Sequence, residues 1–449
     1  MGRVRLHLQQ IRSQCETNKS LGRRIATIVL TSLVVLSLVI LSLSSSPLIQ
    51  LSNASMAPSS WPMFHQNAQH TGLSPFPGPT LPFLKWTFHT GGAVDSPPAV
   101  GNGRIYVGSE DGNLYALNLQ GVLLWKFQTS SPIRTSPAIG SDGTIYLAGS
   151  RGDGYYNIEG ILYSINPGGR LKWSLTILPL ADYSSYPTIS SPTIGPDGTI
   201  YVSAMGVFVV AIRPDGTLKW ELAAGALVLD SPAVAPDGTV YVGIDDPDPS
   251  GLCFQCLEAL YPNGTVKWGA LGYDPGYSSP TIGSDGTVYI SGWAINPDGT
   301  VKWQTGTFLS PSIGPDGTIY GSVYGVLYAN NPDGTLQWEF RVPGTSGGSC
   351  YVSVQQSSAA VGSNGLVYFG SGITHFCGGK DGNHLLTVEA FLYAVSPNGT
   401  MAWKFDTGSI VGVCGLLPCE QTFGVSDPAI GSDGTIYVGT SEGNLYAIG

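Results

Sequence analysis

Apolar positions in this chain come in short runs with period two. "TIYVG" (residues 435–439), "LYALN" (114–118) and "LKWEL" (218–222) place β-branched and aromatic residues at strand spacing. Between the runs stand "SDG", "PDG" and "NGT", whose glycine accepts the positive φ that a side chain resists. The pattern predicts many short strands joined by tight turns. No helical periodicity interrupts it after residue 60.

The runs are copies of one unit. "TSPAIGSDGTIYLAGS" returns as "SSPTIGPDGTIYVSA", "DSPAVAPDGTVYVGI", "SSPTIGSDGTVYISG", "LSPSIGPDGTIYGSV" and "SDPAIGSDGTIYVGT", with looser copies "DSPPAVGNGRIYVGS" and "SSAAVGSNGLVYFGS". One tyrosine recurs in all eight: Tyr106, Tyr146, Tyr201, Tyr241, Tyr289, Tyr320, Tyr368 and Tyr437. Each unit reads as four antiparallel strands. Such units, recurring about every 40 residues, predict the blades of a propeller, in which each blade buries its faces against its neighbours. The fifth copy, "YISGWAINPDG", has almost no loop between its second and third strands, and without it the ring has seven blades.

The last copy stops at "LYAIG" without a tryptophan-bearing fourth strand. Fourth strands elsewhere carry Trp125, Trp173, Trp220, Trp268, Trp303, Trp338 and Trp403. The eighth tryptophan, Trp86, lies in "LKWTF" (residues 84–88), ahead of the first copy. That N-terminal strand is expected to complete the last blade, closing an eight-bladed ring and removing two open sheet edges. All eight tryptophans read as packing residues between blades.

The recurring Gly-Thr-hydrophobic-Tyr, Leu-Tyr-Ala and Trp positions resemble the repeat of the pyrroloquinoline-quinone-type (PQQ-like) β-propeller superfamily. "WPMFHQNAQHTGLSP" (residues 61–75) resembles the segment that precedes the first blade there. The resemblance covers residues 61–449 and implies an all-β propeller. The superfamily holds quinoprotein alcohol dehydrogenases and a non-enzymatic subunit of outer-membrane protein assembly. The enzymes hold a quinone with calcium, a catalytic Asp and adjacent cysteines. This chain has no adjacent cysteine pair and no "CxxCH", and no position matches the quinone ligands. The resemblance therefore implies the non-catalytic branch. No cofactor is expected, and PQQ with calcium belongs to the alternative reading.

The N-terminus differs from the rest. Residues 25–43 hold no charge, and as a helix they approach the roughly 30 Å hydrocarbon core. Six basic residues and one acid precede them, which predicts a cytoplasmic tail (1–24), a transmembrane anchor (25–43), a linker (44–60) and an extracytoplasmic propeller (61–449). The rival is a cleaved signal peptide and a secreted protein. Subtracting the tail's six and one from the chain's 20 basic and 30 acidic residues leaves 14 against 29, a net of −15. Such a surface excludes nucleic acid and leaves the helix as the expected membrane contact.

Beyond Cys15, six cysteines remain: Cys253, Cys256, Cys350, Cys377, Cys414 and Cys419. An even number in an oxidising compartment reads as disulfides. Proximity along the chain suggests Cys414–Cys419 and Cys350–Cys377, with Cys253–Cys256 by elimination, although spacing alone leaves other connectivities open.

Other candidate chemistry is weak. "DDPDPSG" from Asp245 alternates acids like a calcium loop, but Leu257 stands where the bidentate Glu belongs. His375, Cys377 and His384 lack a fourth zinc ligand. "RGD" at Arg151 and "NGT" at Asn263 and Asn398 read first as turns. One asymmetry bears on function. All long insertions and all six cysteines fall in the two–three loops and the interblade links, on the face opposite the "PDG" turns. Tyr155, Tyr156, Tyr183, Tyr186 and Phe376 make that face a candidate surface for protein or carbohydrate. The expected function is thus a binding or scaffolding module. The alternatives are a PQQ-dependent oxidoreductase with a degenerate site and a carbohydrate-active surface protein.

Overall fold

Every repeat folds as an antiparallel sheet in which the second strand sits beside the first and the third beside the second. The structure, a computed structural model, describes residues 59–129, 131–151, 159–177, 189–204, 208–223, 230–244, 256–271, 278–306, 309–344, 351–378, 384–414 and 424–449, with backbone alone at 151, 208, 223, 256, 270–271, 351, 376–378, 384–386 and 410–414. The chain divides into two units, Met1–Met56 and Ala57–Gly449. The expected anchor lies outside the described residues, among which no helix is long and apolar enough to cross a membrane.

The second unit is an eight-bladed β-propeller. Blade 1 runs Ala99–Gly101, Arg104–Gly108, Asn113–Asn118 and Leu123–Gln128. Blades 2 to 6 repeat that order, beginning at Ala138, Thr193, Ala233, Thr281 and Leu309. Blade 8 takes Ala429–Ile430, Ile436–Gly439 and Asn444–Ile448 from the C-terminus and Leu84–His89 from the other end of the domain. Trp86 lies opposite Ala447 and Phe88 opposite Leu445, so the ring closes by strand pairing. Blade 5 is a full four-stranded blade: Val288–Ile290 and Trp293–Ile295 are joined by Ser291 and Gly292, which take the positive φ that so tight a turn requires.

Blade 7 departs from expectation. Much of what reads in sequence as loop is strand: Tyr351–Gln356, Val367–Gly378, His384–Val395 and Met401–Cys414 extend far past their counterparts. Tyr351–Gln356 is an added strand pairing with the second strand beyond the point where the first, Ala360–Val361, ends. Alternation in "LLTVEAFLYAV" continues through the boundary, and Ile373, Val388 and Ala390 are buried where the extended strands pair.

The blades are held by repeated contacts. Apolar residues of facing sheets pack together, as Tyr201, Val209 and Ala211 of blade 3 do with Val234, Val240 and Val242 of blade 4. Each tryptophan lies 5.7–6.0 Å from the recurrent tyrosine of its own blade. Its indole N–H donates to a carbonyl of the next blade's three–four turn: Trp125 to Pro167, Trp173 to Pro214 and Trp220 to Pro262. A glycine in that turn lies flat on the indole, and a Cβ at Gly216 would stand 2.8 Å from the Trp173 ring. In blade 8 the third and fourth strands, Asn444–Ile448 and Leu84–His89, come from opposite ends of the domain and are not joined by such a turn. Trp403 of blade 7 donates instead to Pro79, in the segment leading into the closing strand, and Trp86 donates to Leu119 of blade 1.

Candidate functional site: a plugged channel and an insertion-bearing face

The innermost strands are only two to five residues long in seven blades, and their free edges face the central channel. A bare edge leaves backbone N–H groups to be satisfied. Residues 61–72 satisfy them. The amides of Val100, Ile139, Val234, Ile282, Ile313 and Val361 donate at 2.7–2.9 Å to the carbonyls of Trp61, Pro62, Ala68, Gln69, Thr71 and Gly72. Blade 3 is reached through a His70 Nε2 to Thr193 Oγ1 hydrogen bond of 3.0 Å. The segment thus crosses the channel and touches blades 1 to 7. It turns tightly, with positive φ at His65, Gln66, His70 and Gly72, and the Asn67 side chain bonds both N–H and hydroxyl of Thr71. Trp61, Met63, His65 and His70 are buried.

Above the plug, towards the insertion-bearing face, the "SP" motifs form a second ring. The amide of Ser136 donates to Ser191 Oγ of the next blade, Ser231 to Ser279, and Ser279 to Ser310. In blade 8 the motif reads "SDP". Asp427 takes the serine's place and accepts the Ser358 amide at 2.7 Å. Its other oxygen lies 3.9 Å from His65 Nε2, a buried atom with no hydrogen bond among the described residues.

Burial sets the charges here. Desolvation lowers His65 to about 4 and His70 to about 3, with repulsion between the two rings adding to the second. Desolvation raises Asp427 to about 6, against the opposing hydrogen bond from Ser358. Asp230, buried in the blade 4 motif, is pushed well above the usual carboxylate range by the same cause. At neutral pH the plug histidines are therefore neutral. Sequence reading missed this group, because its members are scattered through single-copy or variant positions. The departure of "SDP" from the serine pattern was the available signal.

The expected binding residues fall elsewhere. Tyr155, Tyr156, Tyr183 and Tyr186 lie outside the described residues, as do Cys253, Cys350, Cys419 and all of "DDPDPSG". Phe376, Cys256, Cys377 and Cys414 are described by backbone alone. Among the described residues, no group of three His, Cys, Asp or Glu could hold a metal ion. The backbone does bear on the disulfides. Tyr351 and Phe376, the chain neighbours of Cys350 and Cys377, lie opposite each other. Cys377 and Cys414 stand on strands separated by His384–Val395. Two strand spacings, about 10 Å, exceed what a disulfide spans. A non-reducing peptide map is therefore expected to join Cys350 to Cys377; free thiols at both, or a Cys377–Cys414 link, would reject that pairing.

Residues 84–189 match the family model of the outer membrane protein assembly factor BamB. Two solved structures share the ring. Quinohemoprotein alcohol dehydrogenase from Comamonas testosteroni superposes with a TM-score of 0.63 at 14% identity, covering 88% of this chain and 81% of that one. BamB from Moraxella catarrhalis superposes with a TM-score of 0.56 at 13% identity, covering 82% and 99%. The fold is a PQQ-like β-propeller. No curated protein matches the chain.

At these identities the PQQ-like propeller carries over as architecture and not as activity. The name raises the question whether the quinone fits. Among the described residues, no group of three His, Cys, Asp or Glu offers the calcium site that accompanies it in the enzymes. The plug fills the level of the inner strands, where Phe64 stacks on His65 at 4.3 Å and meets His70 edge-on at 5.2 Å. The adjoining ring offers serines already committed to one another, with a single carboxylate facing a histidine.

Proposed function

We propose that this protein is a membrane-anchored, extracytoplasmic PQQ-like propeller that binds or scaffolds protein or carbohydrate ligands, with no catalysis of its own. The observation that carries the reading is the plug. The chain's own residues 61–72 bridge seven blades across the channel, making the ring a rigid support for the loops it carries. The repeats differ most in their insertions, which share one face, and variable loops on a rigid ring are a common setting for recognition. The extended strands of blade 7 rise on that same side. Residues 25–43 supply the anchor in this reading, with the basic tail inside.

The alternative, a quinone-dependent oxidoreductase, draws on the likeness to the alcohol dehydrogenase fold. One series of measurements separates the two. The full chain is titrated with pyrroloquinoline quinone and calcium, and screened in parallel against a glycan array and co-purifying proteins. No saturable micromolar quinone binding and no alcohol-dependent dye reduction are expected. Replacing Tyr155, Tyr156, Tyr183, Tyr186 and Phe376 by Ser is expected to weaken ligand capture at least about tenfold, with the unfolding midpoint unchanged. Saturable quinone binding with dye reduction would replace the scaffold by a dehydrogenase. Undiminished capture by the variant would take the insertion-bearing face out of the account.

A further inference from the structure

The rim of the ring is not uniform. In blades 3 to 7 the residue two places before the fourth-strand leucine, valine or methionine is glycine and the residue one place before it is threonine: Thr217, Thr265, Thr300, Thr335 and Thr400. The residue after it is lysine in blades 2 to 5 and in blade 8. These lysines reach back over the sheet, Lys219 to Asp197 at 2.9 Å and Lys302 to Asp285 at 3.0 Å. At the seam where the ring closes the pattern turns apolar. Blade 8 has Phe83 at the threonine position, with Leu81 before it. Blade 1 has Val122 at the threonine position and Leu124 at the lysine position.

All of these side chains are in water. Leu81 is 75% exposed, Phe83 58%, Val122 57% and Leu124 45%, while Leu84 and Leu123 are exposed like their counterparts in the other six blades. The two apolar stretches stand at neighbouring positions of the rim, because the blade 1 turn lies on blade 8: Trp86 donates to Leu119, and Gly121 packs against the Trp86 ring. Exposed apolar side chains gathered at one part of a surface mark an interaction site.

The place where the chain enters the domain indicates what covers it. Residue 58 is the last before the described domain, and Ser59 lies against Gly101, in the one–two turn of blade 1. That turn and the blade 1 part of the seam patch lie at the same end of blade 1. Only residues 44–58 separate Ser59 from the apolar run, a reach of at most about 50 Å. We infer that the seam patch, Leu81, Phe83, Leu84, Val122, Leu123 and Leu124, docks on the bilayer surface, holding the tight-turn end of blades 8 and 1 against lipid. The contact is apolar and suits zwitterionic lipid, since a net charge of −15 opposes an anionic surface. It adds a second membrane contact to the helix, and it rests on the anchored reading above. The insertion-bearing face then points away from the membrane.

The test uses the full chain in phosphatidylcholine nanodiscs containing a lipid with a photoactivatable headgroup-proximal diazirine, followed by peptide mapping. Adducts are expected on residues 25–43, on 81–84 and on 122–124, and not on the corresponding strands of blades 4 and 5 across the ring. The variant L81S/V122T/L124Q carries at positions 122 and 124 the residues blade 6 already has, Thr335 and Gln337, and so keeps the fold. Its seam adducts are expected to fall at least about tenfold while those on 25–43 persist. Adducts on 25–43 with none at the seam would overturn the docking and leave the anchor standing. Loss of adducts at both would overturn the anchor as well. Seam adducts unchanged in the variant, or seam-to-seam crosslinks between two copies, would also overturn it.

Discussion

Deleting residues 61–90 is expected to abolish cooperative unfolding. Two losses coincide. The closing strand Leu84–His89 leaves the last sheet with Asn444–Ile448 as an open edge, removes Trp86 from blade 1 and takes Pro79 from Trp403. The plug leaves six backbone amides of the inner strands without their acceptors. Each unsatisfied buried amide costs about 1–3 kcal/mol. Six of them together rival the 5–15 kcal/mol total stability of an ordinary domain, before the lost burial of Trp61 and Met63 is counted. Calorimetry and size exclusion on the full chain bearing this internal deletion should show aggregation or a broad transition. A sharp transition at the midpoint of the intact protein would refute closure by the N-terminal segment.

The second large effect is on pH dependence. His65 falls from its ordinary 6.5 to about 4 on folding, and His70 to about 3. A lowered histidine pKa means that the unfolded chain binds the extra proton, so stability is lost as pH falls below 6.5. Asp427, raised to about 6, works in the opposite sense: the folded chain holds its proton between the ordinary carboxylate range and 6. Asp230 works the same way. In H65Q/H70Q both carboxylates remain and the two histidine contributions vanish. The stability of the intact chain relative to this variant is expected to fall by up to about 2.7 kcal/mol per pH unit between pH 6.5 and 4, the equivalent of two protons. Urea unfolding midpoints at pH 4.5 and 7 for both chains measure it. A difference independent of pH would mean that the plug histidines stay solvated.

Most of the architecture was legible before any coordinates. Tight turns need glycine at positive φ and strands alternate, so a repeated unit prints its strand count and turn positions into the sequence. Eight tyrosines against seven following tryptophans located the strand that closes the ring. That reasoning uses local conformation and counting, and both survive without knowing what touches what. Blade 7 was less legible, because strands that continue past the ring and loops rich in serine and glycine share much of their composition.

The plug, the serine ring and the seam patch came only from the tertiary structure. Residues 61–72 have no copy elsewhere in the chain, so no periodicity announces that their carbonyls meet six inner strands. His65 and Asp427 are 362 positions apart and face each other only because the ring closes. Leu81 and Val122 look like ordinary strand residues until closure sets blade 8 beside blade 1. Repetition specifies each blade through local physics; contacts between unique segments depend on the ring's closed geometry, which no single stretch of the chain encodes.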